Sequence, residues 1–275
     1  MRALHPLALV LPLAAATAVA QQPAAGRDVI LATTTSFQDT GLLDSLTPVF
    51  ERTTGYRLRV VAVGSGQALR MGERGDADVL LTHSPAAEEA FMTAGHGVRR
   101  RQVASNYFTI VGPPGDPAGV RGARDAAGAL ASIARGGFVF VSRGDSSGTH
   151  QRELVLWRAA GGLNRWRRYL ETGQGMSATL LVTGERRGYT LTDRSTHATL
   201  RARVELEALR EREPALRNVY SVIELNAAGR PRMNVAGGRA FAEFMVSPAV
   251  QGVLATYGVE RFGAPLFEPA VSPPR

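Results

Sequence analysis

Residues 29–36 read Val-Ile-Leu-Ala-Thr-Thr-Thr-Ser, an apolar run that changes abruptly into four hydroxyl side chains. A short continuous apolar run is typical of a strand that is buried on both faces. Leu42, Leu43 and Leu46 then recur at helical spacing. Gly55 gives that helix a stop. The local unit is therefore strand, polar turn and helix, and the chain repeats this unit.

The repetition predicts the fold class. Further apolar runs occupy residues 58–63, 77–82 and 138–142. Strands that alternate with helices favour an α/β fold with a parallel sheet. A strand at 106–112 leads into a Pro- and Gly-rich segment, and another strand near 219–226 returns. We therefore predict a two-lobed α/β protein whose lobes are joined by two crossover strands.

The first twenty residues have the organisation of a secretory signal peptide. Arg2 lies in a short basic start, residues 7–16 are apolar, and Ala18-Val19-Ala20 supplies the small residues of a cleavage site. The apolar run is too short for a membrane span. We expect residues 1–20 to be cleaved and the mature protein to be periplasmic.

The rest of the chain is predicted to form two lobes and a tail. Lobe 1 is discontinuous and takes residues 28–111 and 223–263, whereas lobe 2 takes residues 112–222. The tail at 264–275 should be loosely held, because residues 263–275 contain four prolines. Ligands of such folds bind between the lobes, at the carboxyl ends of parallel strands.

The composition excludes several kinds of chemistry. The chain has no cysteine, so it has no disulfide, thiolate metal site or thiol nucleophile. It has no lysine either, which removes Schiff-base catalysis and the phosphate-loop lysine. The net charge of +8 comes from scattered arginines without interleaved aromatic residues. We therefore expect a solvated basic surface rather than nucleic-acid binding, with a nucleic-acid or adhesion module as the weaker alternative.

Hydroxyl-rich turns indicate an anion site. The turns at 33–36, 64–66 and 146–149 each lead into a predicted helix. A helix start exposes unpaired N–H groups with about half a positive charge. Serine and threonine add O–H donors, and glycine lets the backbone come close. Such turns brought together would suit a fully ionised tetrahedral dianion.

Arg143 precedes the third of these turns and is the predicted charge partner. Its guanidinium can give two parallel hydrogen bonds to two oxygens of the anion. Asp145 could pair with Arg143 and hold it in place, and whether Asp145 does only that stays open. The histidines show no paired metal-ligand spacing, so we predict no metal cation and no cofactor.

At this point the chain resembles a known family, the periplasmic substrate-binding proteins of tungstate ABC transporters. The motifs that carry the resemblance run in order along the chain: Thr33-Thr34-Thr35-Ser36, Gly64-Ser65-Gly66-Gln67, Ser142-Arg143-Gly144-Asp145-Ser146-Ser147-Gly148-Thr149-His150, Gly173-Gln174-Gly175-Met176 and Thr190-Leu191-Thr192-Asp193-Arg194. The resemblance implies a type II periplasmic binding fold that closes on tungstate or molybdate and presents it to a membrane permease. It also implies a non-catalytic protein, and we expect a monomer.

The resemblance also implies the site residues. Those carried over by motif are Thr34, Thr35, Ser65 and Gly66 from lobe 1, and Arg143, Ser147, Gly148 and Thr149 from lobe 2. Met176 and Ser177, at another helix start, are further candidates. Ser195 and His197 stand where glycine and tyrosine are usual in the family, which leaves the role of Asp193 and Arg194 open.

Alternatives to this interpretation remain. Within the same fold, the anion could be sulfate or phosphate, and the sequence does not rank tungstate against molybdate. In a different class, Ser147 with His150 and Asp145 would form a secreted serine hydrolase. No Gly-x-Ser-x-Gly elbow supports that triad, and three residues so close in one turn do not easily reach its geometry.

Overall fold

A computed structural model describes residues 26–270. The predicted signal peptide at 1–20 and the end of the predicted tail at 271–275 lie outside the described residues. Within 26–270, no helix is long and apolar enough to cross a membrane.

The elements alternate as the sequence predicts. The strands are β1 (Asp28–Thr34), β2 (Arg57–Val63), β3 (Val79–Thr82), β4 (Gly97–Gly112), β5 (Phe140–Ser142), β6 (Tyr169–Glu171), β7 (Thr190–Asp193), β8 (Glu207–Arg210), β9 (Arg217–Leu225) and β10 (Glu268–Pro269). The helices are α1 (Thr35–Gln38), α2 (Leu42–Thr54), α3 (Ser65–Arg74), α4 (Pro85–Thr93), α5 (Ala126–Arg135), α6 (Gly148–Ala159), α7 (Met176–Glu185), α8 (Arg194–Leu200), α9 (Val235–Met245), α10 (Pro248–Thr256) and α11 (Val259–Phe262).

Lobe 1 is built on a sheet with the strand order β10-β4-β9-β3-β1-β2. β1 pairs in parallel with β2 and with β3, so these three strands end at the same edge of the sheet. The middle of β1 is fully buried, because helices cover both faces of a parallel sheet. Phe37, Phe50 and Phe241 pack with the strand residues in one hydrophobic core. The carboxyl edge of β1–β3 is where polar turns can meet.

The crossing between lobes occurs within β4 and at the start of β9. β4 pairs with β9 up to the pair Tyr107–Arg217, and from Phe108 onward it pairs with β7 and β8. A second core in lobe 2 gathers Trp157 and Tyr189 around β5 and β7. The predicted two-lobed α/β fold with two crossover strands is confirmed. The lobe boundaries at 111/112 and 222/223 stay predictions.

The prediction of a loose tail is wrong for residues 264–270. Leu266 and Phe267 are fully buried in the lobe 1 core, and β10 pairs with β4. The prolines did not prevent this, because β10 lies at the sheet edge, where a missing N–H is tolerated. Two apolar side chains therefore attach the end of the described chain to lobe 1.

Candidate anion-binding site

The starts of α3 and α6 meet across the cleft, one from each lobe. A Cβ added to Gly64 would lie 3.5 Å from the Cα of Ser147. A Cβ added to Gly66 would lie 3.0 Å from the carbonyl oxygen of Ser146. Glycine at these positions lets the two backbones come close. The structure thus brings together the second and third hydroxyl turns that the sequence singled out.

The start of α7 faces the turn that follows β1. A Cβ added to Gly175 would lie 3.7 Å from Oγ1 of Thr35. The Oγ of Ser177 donates a hydrogen bond to Oδ2 of Asp39 at 2.5 Å, from lobe 2 to lobe 1. Burial raises the pKa of Asp39, although the bond from Ser177 and the charge of Arg143 oppose that rise. The hydroxyl of Ser177 is therefore engaged across the cleft.

Two hydroxyls in this region have no hydrogen-bond partner within residues 26–270. Oγ of Ser65 and Oγ1 of Thr149 are buried, and neither residue is exposed at all. A buried hydroxyl without a partner costs about 1–3 kcal/mol relative to a satisfied one. Both belong to first turns of helices whose N–H groups are themselves donors. Each of the two helix starts, one per lobe, therefore carries a buried hydroxyl that can still donate.

Thr34 and Ser147 are helix caps. Oγ1 of Thr34 accepts from the N–H of Phe37 at 3.4 Å, and Oγ of Ser147 accepts from the N–H of His150 at 3.2 Å. A capping hydroxyl uses a lone pair for the helix and keeps its own proton. Each hydroxyl therefore keeps a proton to donate, and each has a second polar neighbour, Ser36 beside Thr34 and Asp145 beside Ser147.

Arg143 is buried and its orientation is fixed by Asp145. Only 2% of Arg143 is exposed, and its Nε donates to Oδ2 of Asp145 at 3.1 Å while its Nη2 donates to the same oxygen. Oδ1 of Asp145 accepts from the N–H of Ser147 at 3.1 Å. Burial tends to raise the pKa of Asp145, but the Arg143 charge and these hydrogen bonds outweigh burial and lower it. Both bonds to Asp145 come from Nε and Nη2, so Nη1 of Arg143 is the nitrogen that Asp145 does not occupy.

Two other predicted site residues have only backbone groups to offer an anion. The side chain of Met176 is fully buried in a lobe 2 core with Val111 and Leu180, which leaves its N–H at the start of α7. A Cβ on Gly148 would lie 2.7 Å from the carbonyl oxygen of His83, so a side chain is excluded there.

The predicted ligand set did not include His83, or Ser36 at the end of the first hydroxyl turn. His83 follows β3, and its Nε2 lies 3.2 Å from Oγ of Ser36. Its Nδ1 lies 2.9 Å from Oδ1 of Asn218 on β9. A signal was available, because β3 is the third parallel strand and its carboxyl end lies beside those of β1 and β2.

The open role of Asp193 and Arg194 has a structural answer. Asp193 is fully buried and caps α8, where its Oδ1 accepts from the N–H of Thr196 at 2.9 Å. Oγ of Ser195 donates to the same oxygen at 2.5 Å. Arg194 is partly exposed and lies 4.0 Å from Glu211.

The geometry gives little support to the two alternative kinds of site, a serine hydrolase at Ser147 and a metal-cation site. Oγ of Ser147 accepts from the backbone of His150, and the His150 ring accepts from the N–H of Ser146 at 3.0 Å. The ring is therefore not bonded to the hydroxyl that it would have to activate. No group of three or more metal-ligating side chains occurs in the described part of the chain.

Two α/β lobes with donor-rich helix starts in the cleft define a class, the solute-binding proteins that close around a small ligand. Comparison with known proteins agrees. The family model of the PBP superfamily domain matches residues 18–249. The tungstate-binding protein TupA of Peptoclostridium acidaminophilum is 45% identical over 243 residues, which cover 88% of this chain and 85% of that protein.

Solved structures point the same way. The tungstate ABC transporter structure from Geobacter sulfurreducens superposes with a TM-score of 0.76 at 40% identity, covering 84% of this chain and 98% of that one. The tungstate-binding protein TupA from Desulfovibrio alaskensis G20 gives a TM-score of 0.73 at 44% identity, covering 89% and 99%. The chain belongs to the PBP superfamily and, within it, to the family of these TupA proteins. The family resemblance seen in the sequence is confirmed.

Proposed function

We propose that this protein captures tungstate or molybdate between its lobes, outside the cytoplasm, and delivers the dianion to an ABC permease. One observation carries the proposal. Ser65 in lobe 1 and Thr149 in lobe 2 each hold a fully buried hydroxyl without a partner among residues 26–270, and the helix starts that carry them are in contact across the cleft. The buried Arg143 lies in the turn before Thr149. The names of the TupA relatives supply the identity of the anion.

The donor set favours an anion that carries no proton. Monohydrogen phosphate has an O–H group that needs an acceptor, whereas tungstate, molybdate and sulfate do not. Asp145 is committed to Arg143 and to the N–H of Ser147. Asp39 accepts from Ser177. Neither carboxylate is left without a donor, so the cleft suits a fully ionised XO₄ dianion.

The proposed ligands follow from these positions. Nη1 of Arg143 would supply the charge, and the hydroxyl ligands would be Thr34, Thr35, Ser65, Ser147 and Thr149. Backbone N–H groups would come from Gly66, Gly148 and Met176. Ser177 would act through its bond to Asp39, which joins the lobes at the rim of the cleft.

The remaining parts of the proposal concern the whole chain. Residues 1–20 would direct export, and the mature protein would work as a monomer without catalysing a reaction. Lobe 1 would comprise residues 28–111 and 223–263, and lobe 2 residues 112–222.

Competition calorimetry with four anions tests the proposal. The purified mature chain is titrated with tungstate, molybdate, sulfate and phosphate, first singly and then with a second anion present. We expect tungstate and molybdate to bind one per chain and to exclude each other, sulfate to bind more weakly and phosphate weakest. Tight phosphate binding at neutral pH would overturn the donor-set argument, and binding of none would overturn the function.

A matched thermal measurement accompanies the titrations. A ligand that binds only the folded state raises the free energy of unfolding by RT ln(1 + [L]/Kd). The thermal midpoint should therefore rise with tungstate concentration. A midpoint that does not move with any of the four anions would contradict the proposal independently of calorimetry.

A further inference from the structure

A continuous series of buried hydrogen bonds joins the two lobes behind the cleft. It begins at Ser36 in lobe 1, whose Oγ lies 3.2 Å from Nε2 of His83. Nδ1 of His83 lies 2.9 Å from Oδ1 of Asn218, and Nδ2 of Asn218 donates to Oδ1 of Asn106 at 2.9 Å. The series thus passes from the turn after β1 to both crossing strands.

The series continues into lobe 2. Nδ2 of Asn106 donates to Oγ of Ser195 at 3.2 Å, and Ser195 donates to the carboxylate of Asp193 at 2.5 Å. None of the six residues is more than 3% exposed. We name this set the hinge relay: Ser36, His83, Asn218, Asn106, Ser195 and Asp193.

The Asp193 end of the hinge relay sets the direction of its hydrogen bonds. The Asp193 carboxylate only accepts, so Ser195 donates to it and accepts from Asn106. Asn218 likewise donates through Nδ2, which leaves its Oδ1 to accept from Nδ1 of His83. Burial lowers the pKa of His83, although the charge of Asp193 and the bond to Asn218 oppose this. In the neutral ring Nε2 is then an acceptor, and the proton of Ser36 points to His83.

The direction of the Ser36 hydroxyl also affects its neighbour Thr34. Oγ1 of Thr34 lies 3.4 Å from Oγ of Ser36 and also accepts from the N–H of Phe37. Because the proton of Ser36 is committed to His83, Ser36 does not donate to Thr34. The contact is then a hydrogen bond from the Thr34 hydroxyl to Ser36, so the relay sets the direction of that hydroxyl, while its lone pair stays with the helix cap.

The hinge relay crosses the fold where the lobes would turn. Asn106 and Asn218 face each other on β4 and β9, next to the point where β4 changes pairing partners after Tyr107. His83 belongs to lobe 1, and Ser195 belongs to lobe 2. A rotation of one lobe against the other would have to break a bond on one side of the asparagine pair. Buried groups that lose a partner are costly, so the relay favours one lobe orientation.

We infer that the hinge relay holds the lobes in the closed orientation and that His83 is a positioning residue for the anion site. The inference takes its ligand from the proposed function, whereas the geometry of the hinge relay does not depend on that function. The residues act as one unit because each needs the donor direction set by its neighbour. Breaking any bond should therefore release the lobes and speed loss of the anion, since affinity changes of this kind fall mainly on dissociation.

The experiment uses three variants and one control. Asn218→Leu, His83→Phe and Ser195→Ala interrupt the relay at its middle and on both sides. Asn234→Leu is the control, because Asn234 is a buried asparagine that joins only segments of lobe 1, through Gly26 and Asp28. We expect each relay variant to weaken tungstate binding about tenfold, and the control to lower the thermal midpoint with unchanged Kd.

A double variant tests whether the hinge relay acts as one unit or whether each substitution has its own structural effect. His83→Phe combined with Ser195→Ala should bind tungstate no more weakly than the weaker single variant, because either change already interrupts the relay. Additive losses would overturn the inference. So would folded single variants whose Kd equals that of the wild type.

The lobe orientation is measured directly as well. The chain has no cysteine, so spin labels can be attached at Glu73→Cys on α3 and Arg158→Cys on α6, both exposed. The relay variants should give longer and broader interlobe distances than the wild type and Asn234→Leu, and identical distributions would overturn the inference. If the wild type binds no anion, the proposed function fails, and these distances still decide the role of the relay.

Discussion

Both lobes bring a hydroxyl-bearing helix start to the cleft, but the arginines beside the two starts differ in burial. In lobe 1, Arg70 is exposed, and its Nη1 lies 3.6 Å from a Cβ added to Gly66. In lobe 2, Arg143 is buried and is held by its partner Asp145. A buried guanidinium is screened less by solvent than an exposed one, so lobe 2 would supply the stronger charge and lobe 1 mainly neutral donors.

The two lobes also differ in their buried glutamates. Glu88 in lobe 1 forms an ion pair with Arg100 at 2.8 Å and accepts from Ser84 and Thr82. Glu153 in lobe 2 is equally buried, but its Oε2 has no partner within 26–270. Burial raises the pKa of Glu153 to about 7, against hydrogen bonds that lower it. Lobe 2 therefore combines a strong cation with a carboxyl whose charge depends on pH.

The largest expected effect is that of Arg143→Ala. The change removes the buried guanidinium beside the predicted site and leaves Asp145 without its partner beside a dianion. We expect tungstate binding by calorimetry to weaken by about 3 kcal/mol, roughly 100-fold. Arg101→Ala is the matched control, since it breaks a largely buried ion pair with Glu224 in lobe 1. Equal losses in the two variants would remove the difference between the lobes.

Glu153→Gln is expected to change the pH dependence of stability. The folded pKa of about 7 exceeds the ordinary value of 4.5, so the stability linked to Glu153 is complete below about pH 4.5 and is lost as pH rises through 7. The wild type should lose about 2 kcal/mol more than the variant between pH 5 and pH 8. Urea unfolding at both pH values measures this, with Glu88→Gln as the control for loss of a buried carboxylate. Parallel profiles of wild type and Glu153→Gln would contradict the prediction.

The smallest effects are those of Ser65→Ala and Thr149→Val, one in each lobe. Each should weaken tungstate binding by about 1 kcal/mol, because one donor to the anion is lost. Without anion, each should raise the thermal midpoint slightly, since a buried unpartnered hydroxyl is removed. Thr183→Val is the control, because the Thr183 hydroxyl already donates to Thr179 at 2.6 Å and its loss should only destabilise. A lower midpoint in both site variants would show that these hydroxyls have partners after all.

Local patterns predicted much of this fold. The apolar run of β1 and the spacing of α2 follow directly from residues 29–55. The start of β4 was not predictable in the same way. Residues 99–101 are three arginines. They lie in a strand because Arg100 forms an ion pair with Glu88 on α4 and Arg101 forms one with Glu224 on β9. The packing of Leu266 and Phe267 likewise depends on a core built from remote residues.

By itself, the sequence determined the alternation of strands and helices, the hydroxyl turns and the pairing of Arg143 with Asp145, because these depend on neighbours a few residues away. Only the tertiary structure decided that the buried hydroxyls of Ser65 and Thr149 lack partners in the described part of the chain, that Ser177 reaches Asp39 and that His83 meets Asn218. Those facts depend on residues up to 138 positions apart, brought together when two lobes fold around shared strands. Burial and hydrogen-bond partners are properties of that packing, and no local pattern carries them.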